Sequence, residues 1–428
     1  MRPIPTKSLM ESSFGMFYYS TPNEGIGGKI RTSPEDFIVE EITPEGIIVN
    51  EDLKALDRGH GKVTLAVLKK ISKPLLPIIS MLEKKLGGRI RFAGIKDRRA
   101  VTYQLVSINR PFEGRLKIGS IELWSVGRSM WEIYPGELSG NRFTITIRNL
   151  ENFPEELSIK WFPNYFGHQR FGISRPNTHK IGKMLIKRDF EGAIKEFLAE
   201  LYEGDPHINV RKKLRDTWDL KGALSYFSDE LIYEKKVINA LIHGSSAEGA
   251  LYKLSKQLLR LFIEAYQSYI FNLALSERWK RFGLFNIKIG DYIAMLNSHR
   301  NPSKPIEIVK ENLVKMQKLV EQGRAVLLMP IPGSNIKFKG INEEIYSKIL
   351  YNEGIEPKDF SIFEISLRGT FRPAVFYPMS FELMEISKDE KFEGKIKAII
   401  RFSLPRGTYA TILLRELMKP EDPKKTGF

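Results

Sequence analysis

The order in which side-chain periodicity changes along the chain limits the fold more than any other feature of the sequence. Residues from about 26 to 150 read as short strands separated by turns, among them 28–32, 37–42, 46–49, 63–68 and 142–148, the last alternating apolar and polar residues at period two. One helix interrupts them: over 73–86, Leu76, Ile79, Leu82 and Leu86 recur at three- and four-residue spacing, with Pro74 near the start and Gly87-Gly88 beyond the end. From about 160 to 280 the pattern turns helical, predicting helices over 178–187, 189–201, 229–241 and 246–281. In the last of these Leu261, Ala265, Ile270, Leu273 and Ala274 share a face, and Tyr266, Tyr269 and Phe271 are expected in the core. Residues 282–365 are mixed, and strand alternation returns in 381–386 and 397–404. Strands, then helices, then strands again is the pattern of an α+β domain interrupted by an insertion. The polar, proline-containing tail, 419–428, is expected to fray.

At 428 residues the chain exceeds the size at which a single core usually stops growing, which agrees with two domains or one domain carrying a large insertion. Its 67 Lys and Arg against 51 Asp and Glu leave a formal net charge of +16, favouring a polyanionic partner, with nucleic acid preferred to an anionic membrane surface. The absence of cysteine excludes disulfides, thiolate catalysis and cysteine-ligated metal sites. The six histidines (60, 168, 179, 207, 243 and 299) form no ligand pair at helical spacing, so no metal site is expected. No secretory signal or membrane-spanning apolar run is evident, and the chain reads as soluble and cytoplasmic, with nothing that calls for more than a monomer.

Gly59-His-Gly61-Lys62 has neither the spacing nor the following Ser or Thr of a phosphate-binding loop, and Gly25-Ile-Gly-Gly28 lacks the strand and helix of a dinucleotide fingerprint. No Gly-x-Ser-x-Gly elbow occurs. What is left for covalent work is a carboxylate, without a small-molecule cofactor, and composition does not choose among 51 acids. Asp97 stands out because Lys96, Arg98 and Arg99 surround it where an apolar, strand-like run ends, which would keep a carboxylate ionised beside a polyanion. On pattern alone the same four residues read first as a solvated turn.

The segment Phe92-Ala-Gly-Ile-Lys-Asp-Arg-Arg-Ala-Val-Thr-Tyr-Gln104 resembles the signature of the TruD family of tRNA pseudouridine synthases. Other segments agree with that family in order: Ser33–Glu40, Gly140-Asn-Arg-Phe143, Asn164–Gly172, Ala265–Asn272, and Phe402–Thr411 with Leu414-Arg-Glu416. The resemblance is thinnest over about 1–25, 200–260 and 295–375. It implies a pseudouridine synthase core with a mixed, mainly antiparallel sheet, interrupted by a large, mostly helical inserted domain: catalytic residues 1–160 and 376–428, insertion 161–375.

It further implies the isomerisation of a tRNA uridine, usually uridine 13, with no cofactor. By position in the motifs Asp97 is the nucleophile, Arg31 the basic residue near it with Lys96 as the alternative, Tyr409 the aromatic against the base, Phe143 part of the base pocket and Asn141 a hydrogen-bonding neighbour. Read without the family, Phe143 is a core residue and Asn141 a turn residue. Arg98, Arg99, Arg142 and Arg170 are candidates for the RNA backbone, and His168 could join them, though Asn164–Gly172 has the composition of a domain seam. Arg415-Glu416 reads as a structural ion pair. Two other classes stay open: a non-catalytic tRNA-binding relative, and a glycosidase-like hydrolase in which Glu416 faces Asp97.

Overall fold

The computed structural model describes residues 3–154 and 159–428. A nine-stranded sheet forms its centre, built from β1 (Phe37–Ile42), β2 (Val63–Ile71), β3 (Ile90–Phe92), β4 (Val101–Ile108), β5 (Arg115–Ile118), β6 (Ile121–Ser129), β7 (Gly140–Leu150), β8 (Met379–Lys388) and β9 (Ile396–Pro405). Their order is β8-β9-β7-β1-β4-β2-β6-β5, with β3 pairing beside β4. All pairs are antiparallel except β1 with β4, so the sheet is mixed and mainly antiparallel, and the protein is α+β. Two of the nine strands come from the far end of the sequence, after the helical middle.

The centre of the sheet is buried on both faces. All eight residues of β4 are buried; Val101, Tyr103 and Leu105 join one apolar cluster, and Val106 and Ile108 the other. Helix α1 (Leu75–Leu86) covers the second of these faces with Leu75, Ile78, Ile79 and Leu82. Pro74 occupies the position before its first turn, and Gly87, at φ +65°, closes it by donating its N–H to Glu83 O.

Residues between β7 and β8 supply helices Thr178–Ile186, Phe190–Leu198, Ile208–Thr217, Ile232–Ile242 and Lys256–Phe282, then an antiparallel sheet of Ile306–Glu307, Tyr292–Met295, Ala325–Ile331 and Thr370–Pro373. Their core is continuous with the β7–β9 part of the central sheet, one cluster running from Phe143 and Phe402 through Phe166 to Phe271.

Several expectations change. The predicted helix 246–281 is two, Ala247–Leu251 and Lys256–Phe282, because the Ser255 hydroxyl accepts the Leu258 N–H and starts a new helix. Within it Tyr266 and Phe271 are buried as expected, but Leu261 is exposed, since Leu259, Phe262, Ile263 and Ile270 define the buried face. Residues 28–32 make only a single bridge, Lys29 to Arg148, because Arg31 takes a left-handed φ of +56° that ends extended pairing. Asp97 is not at a strand end: β3 stops at Phe92, and Asp97 lies in the loop leading to β4.

The tail is not frayed. Ile30 N donates to Thr426 O at 2.9 Å, and Phe428 is buried with its ring 5.1 Å from that of His168.

Candidate active site

Because β1 and β4 are parallel, with Ile38 opposite Val101, the segments that precede them emerge side by side. Arg31 comes from the first segment and Asp97 from the second. Arg31 Nη2 donates to Asp97 Oδ2 at 3.0 Å, the arginine being buried and the aspartate a third exposed. The guanidinium lies 4.0 Å from the centre of the Phe37 ring and donates through Nη1 to Gly427 O at 3.3 Å. It thus approaches Asp97 with one edge while an aromatic face and a backbone carbonyl hold the rest. Burial pulls the Arg31 pKa down, and the neighbouring Asp97 charge opposes that shift without cancelling it.

Lys70, in β2, was not anticipated. Its Nζ donates to the backbone carbonyl of Asp97 at 2.6 Å, anchoring the loop from below. Burial lowers its pKa to about 8, with Asp97 opposing and Lys96 reinforcing the shift. The signal was a lysine among the buried residues of β2, whose neighbours Ala66 and Leu68 share its strand face.

Lys96 turns away from the Asp97 carboxylate. Its Nζ lies 2.7 Å from Glu41 Oε2 and donates to Asn141 Oδ1 at 2.7 Å. Glu41 and Asn141 are cross-strand neighbours on β1 and β7, so this lysine joins the Asp97 loop to the sheet. Asn141 is therefore a strand residue, not a turn residue. Gly140 before it has no room for a side chain, because a Cβ would meet Leu404 O on β9 at 2.1 Å.

Asp97 opens on a cavity of about 300 Å³ whose walls include Lys96, Asn141, Phe143, Gln169, Thr408 and Tyr409. Phe143 is both core and wall: its ring packs against Phe402 at 5.4 Å and Phe37 at 6.2 Å. Tyr409 stands immediately before the last helix, α2 (Ala410–Met418), with the Phe166 ring 6.4 Å away and the Arg372 guanidinium 5.5 Å from its ring centre. Arg372, also unanticipated, ties the two sequence regions together. It donates to Asn164 O at 3.0 Å and Gly407 O at 2.9 Å, and burial lowers its pKa to about 10.

The candidate backbone-binding arginines separate. Arg98 and Arg99 are exposed and have no ion-pair partner among the described residues. Arg142 points to the opposite side of the sheet from Asn141 and Phe143, in a bidentate pair with Glu40 at 2.6 and 2.7 Å. Arg170 lies 3.4 Å from Glu264 with its guanidinium 5.5 Å from the Phe166 ring centre. His168 is fully buried, 3.2 Å from Glu11, out of reach of any ligand; its neighbour Gln169 faces the cavity instead. Glu416 is also fully buried, bonded to Ser20 and Arg415, and does not line the Asp97 cavity.

Fold and cleft together define an α+β enzyme that presents one ion-paired carboxylate to an aromatic-walled cavity, in a strongly basic protein. The sequence model of the family described as tRNA pseudouridine synthase D (TruD) matches residues 13–417. A Methanosarcina mazei protein named probable tRNA pseudouridine synthase D is 35% identical, over 96% of this chain and 97% of its own. A protein of the same name from Thermococcus sibiricus is 35% identical over 95% and 98%. A crystal structure from Methanosarcina mazei that carries the TruD name superposes with a TM-score of 0.78 at 34% identity, over 97% of this chain and 99% of that one. The chain belongs to the tRNA pseudouridine synthase D family and is an isomerase of that class.

Proposed function

We propose that Asp97 is the nucleophile with which this enzyme converts a uridine of tRNA, uridine 13, to pseudouridine in the cytoplasm. The observation that carries the reading is the Arg31–Asp97 pair opening on a cavity walled by Phe143 and Tyr409. In the reaction the C1′–N1 bond breaks, the uracil turns in place, and C1′ bonds to C5, which loses its proton while N1 gains one. No electrons or groups enter from outside, so the site has to supply a charged carboxylate, a grip on the detached base and exclusion of water.

The first two requirements have residues. Arg31 stabilises the negative charge of Asp97. A cavity of about 300 Å³ is at the small end for ligand pockets and suits one extruded nucleoside. Extrusion from a stack costs a few kcal/mol, and packing on an aromatic ring returns roughly 1–3 kcal/mol per base, so Tyr409 and Phe143 can offset it. Lys96 occupies Asn141 Oδ1, which leaves the Asn141 amide nitrogen to donate to a uracil carbonyl. In this reading residues 1–160 and 376–428 form the catalytic part and 161–375 an insertion lying across the RNA from it.

The test is incubation of uridine-labelled tRNA with the protein and with Asp97→Asn, followed by nucleoside analysis. Pseudouridine from the unaltered protein alone supports the assignment; equal product from both removes Asp97 as nucleophile. Free uracil would indicate hydrolysis, and tRNA binding without product from the unaltered protein would indicate a binding module.

A further inference from the structure

We propose that Trp131 and Tyr134, with Met130, form a stacking platform for unpaired bases of the same RNA whose uridine enters the Asp97 cavity. The proposal rests on the substrate class given above and adds a second binding site to it. These three side chains are 78%, 64% and 65% exposed, in the order named, and Ile95, in the lining of the Asp97 cavity, is 69% exposed. Met130, Trp131 and Tyr134 lie in the one short segment 130–134, and clustered exposed apolar groups mark a binding site more often than isolated ones do.

The backbone beneath them is fixed. The Trp131 N–H donates to Ser129 Oγ at 3.1 Å, and the same hydroxyl donates to Trp131 O at 2.9 Å. Ile133 is buried and its N–H donates to Ser107 Oγ at 2.9 Å, while the Tyr134 N–H donates to Glu137 Oε2 at 3.0 Å. Rings held outward on a tethered backbone lose little freedom when a base packs on them.

The platform adjoins the cleft. Gly136 N donates at 2.7 Å to the carbonyl of Ala93, in the loop that carries Ile95 and Asp97. Its own carbonyl accepts from Arg406 Nη1 at 2.9 Å, and Arg406 and Leu138 both line the Asp97 cavity.

The surrounding charge selects the partner. Among the described residues Arg98 and Arg99 leave the Asp97 loop exposed and without ion-pair partners, and the Arg406 guanidinium meets only a backbone carbonyl. Arg89 and Arg91 share the single carboxylate of Glu132, at 2.8 and 3.7 Å. Exposed aromatics among excess arginine fit single-stranded RNA, whose backbone takes the cations and whose free base faces take the rings. A duplex presents no free face to them.

The test uses full-length Asp97→Asn protein, which separates binding from turnover, and measures its affinity for a tRNA transcript and for an RNA duplex of similar length. Trp131→Ala or Tyr134→Ala is expected to weaken tRNA binding by about tenfold each, with duplex binding unchanged and Trp131→Phe restoring most of the loss. With Asp97 intact the same changes raise KM and leave kcat. Tryptophan emission falls when tRNA is added, and Trp131→Phe removes most of that fall. Unchanged tRNA affinity in the alanine variants overturns the proposal and leaves the catalytic reading standing. So does equal loss of tRNA and duplex binding, or a shift in sedimentation with Trp131→Ala, which would assign the patch to contact between copies of the chain. Failure of the Asp97→Asn protein to bind tRNA at all overturns both.

Discussion

Arg31 meets Asp97, 66 residues further along the chain, because the two strands that follow them run in the same direction. Had β1 and β4 paired antiparallel, the residues preceding each would sit at opposite ends of the sheet. Among the described residues the one parallel strand pair of the nine-stranded sheet is therefore the one that assembles the ion pair.

Replacing Arg31 tests the charge and the fork separately. Arg31→Ala is expected to lower kcat on the order of 10²-fold or more, as losses of fixed electrostatic partners do. Arg31→Lys keeps the charge but cannot hold Asp97, Gly427 O and the Phe37 face together, and should fall between the two. Arg31 is itself buried against the Phe37 ring, so Arg31→Ala should also lower the melting temperature, and Arg31→Lys should lower it less. Steady-state kinetics and melting curves measured on the same samples check this; a large fall in melting temperature with unaltered kcat would contradict it.

Lys70 gives a pH dependence with a definite sign. Its pKa falls from an ordinary 10.5 to about 8 on folding. Between those values the unfolded chain binds more protons at this residue than the folded one, so its contribution to stability rises with pH across that window. Urea unfolding of the protein and of Lys70→Met at pH 7, 8.5 and 10 should show the unaltered protein gaining on the variant as pH rises. Activity should move the other way, because an uncharged amine holds the Asp97 carbonyl less strongly.

Arg415 is fully buried between two carboxylates, 2.9 Å from Glu11 Oε2 and 3.3 Å from Glu416 Oε1, with its guanidinium 4.0 Å from the Tyr19 ring centre. Burial pushes Glu11 up, but Arg415 and His168 outweigh it and hold the carboxyl below its ordinary range; for Glu416 burial prevails and the pKa is raised. Arg415→Ala strands buried charge and should cost about 3–5 kcal/mol in chemical denaturation. Glu416→Gln, which keeps an acceptor for the Ser20 N–H at 2.8 Å, should cost far less.

Gly427 couples the end of the chain to the site. Its φ is +92°, a Cβ there would meet Ile30 O at 2.0 Å, and its carbonyl accepts from Arg31. Gly427→Ala should displace that carbonyl and lower kcat several-fold while tRNA affinity stays within about twofold, since the tail touches the positioning arginine rather than the cavity walls. Parallel kinetics and binding measurements decide it.

Much of the architecture was legible because periodicity is local. The alternation in 397–404 and the spacing of Ile79 and Leu82 report which side of a segment is buried, whereas Leu76, at the same spacing, is exposed, and Thr146 and Arg148 are buried on the polar side of 142–148. Breaks were harder to read: Ser255 restarts a helix inside an apolar run, and a left-handed residue at Arg31 leaves no mark in the side-chain pattern. The tail looked free because its polar composition hides the buried ring of Phe428.

By itself the sequence determined the types of most elements, the basic balance of the chain and the ordered motifs that contain Asp97, Asn141, Phe143 and Tyr409. Only the tertiary structure decided which groups meet. It placed Lys70 under the Asp97 loop, turned Lys96 toward Glu41 and Asn141, and put Arg142 on the far face with Glu40. Those outcomes depend on strand direction and register, where a shift of one residue exchanges the two faces of a strand. They are set by packing between segments distant in the chain, which no local pattern records.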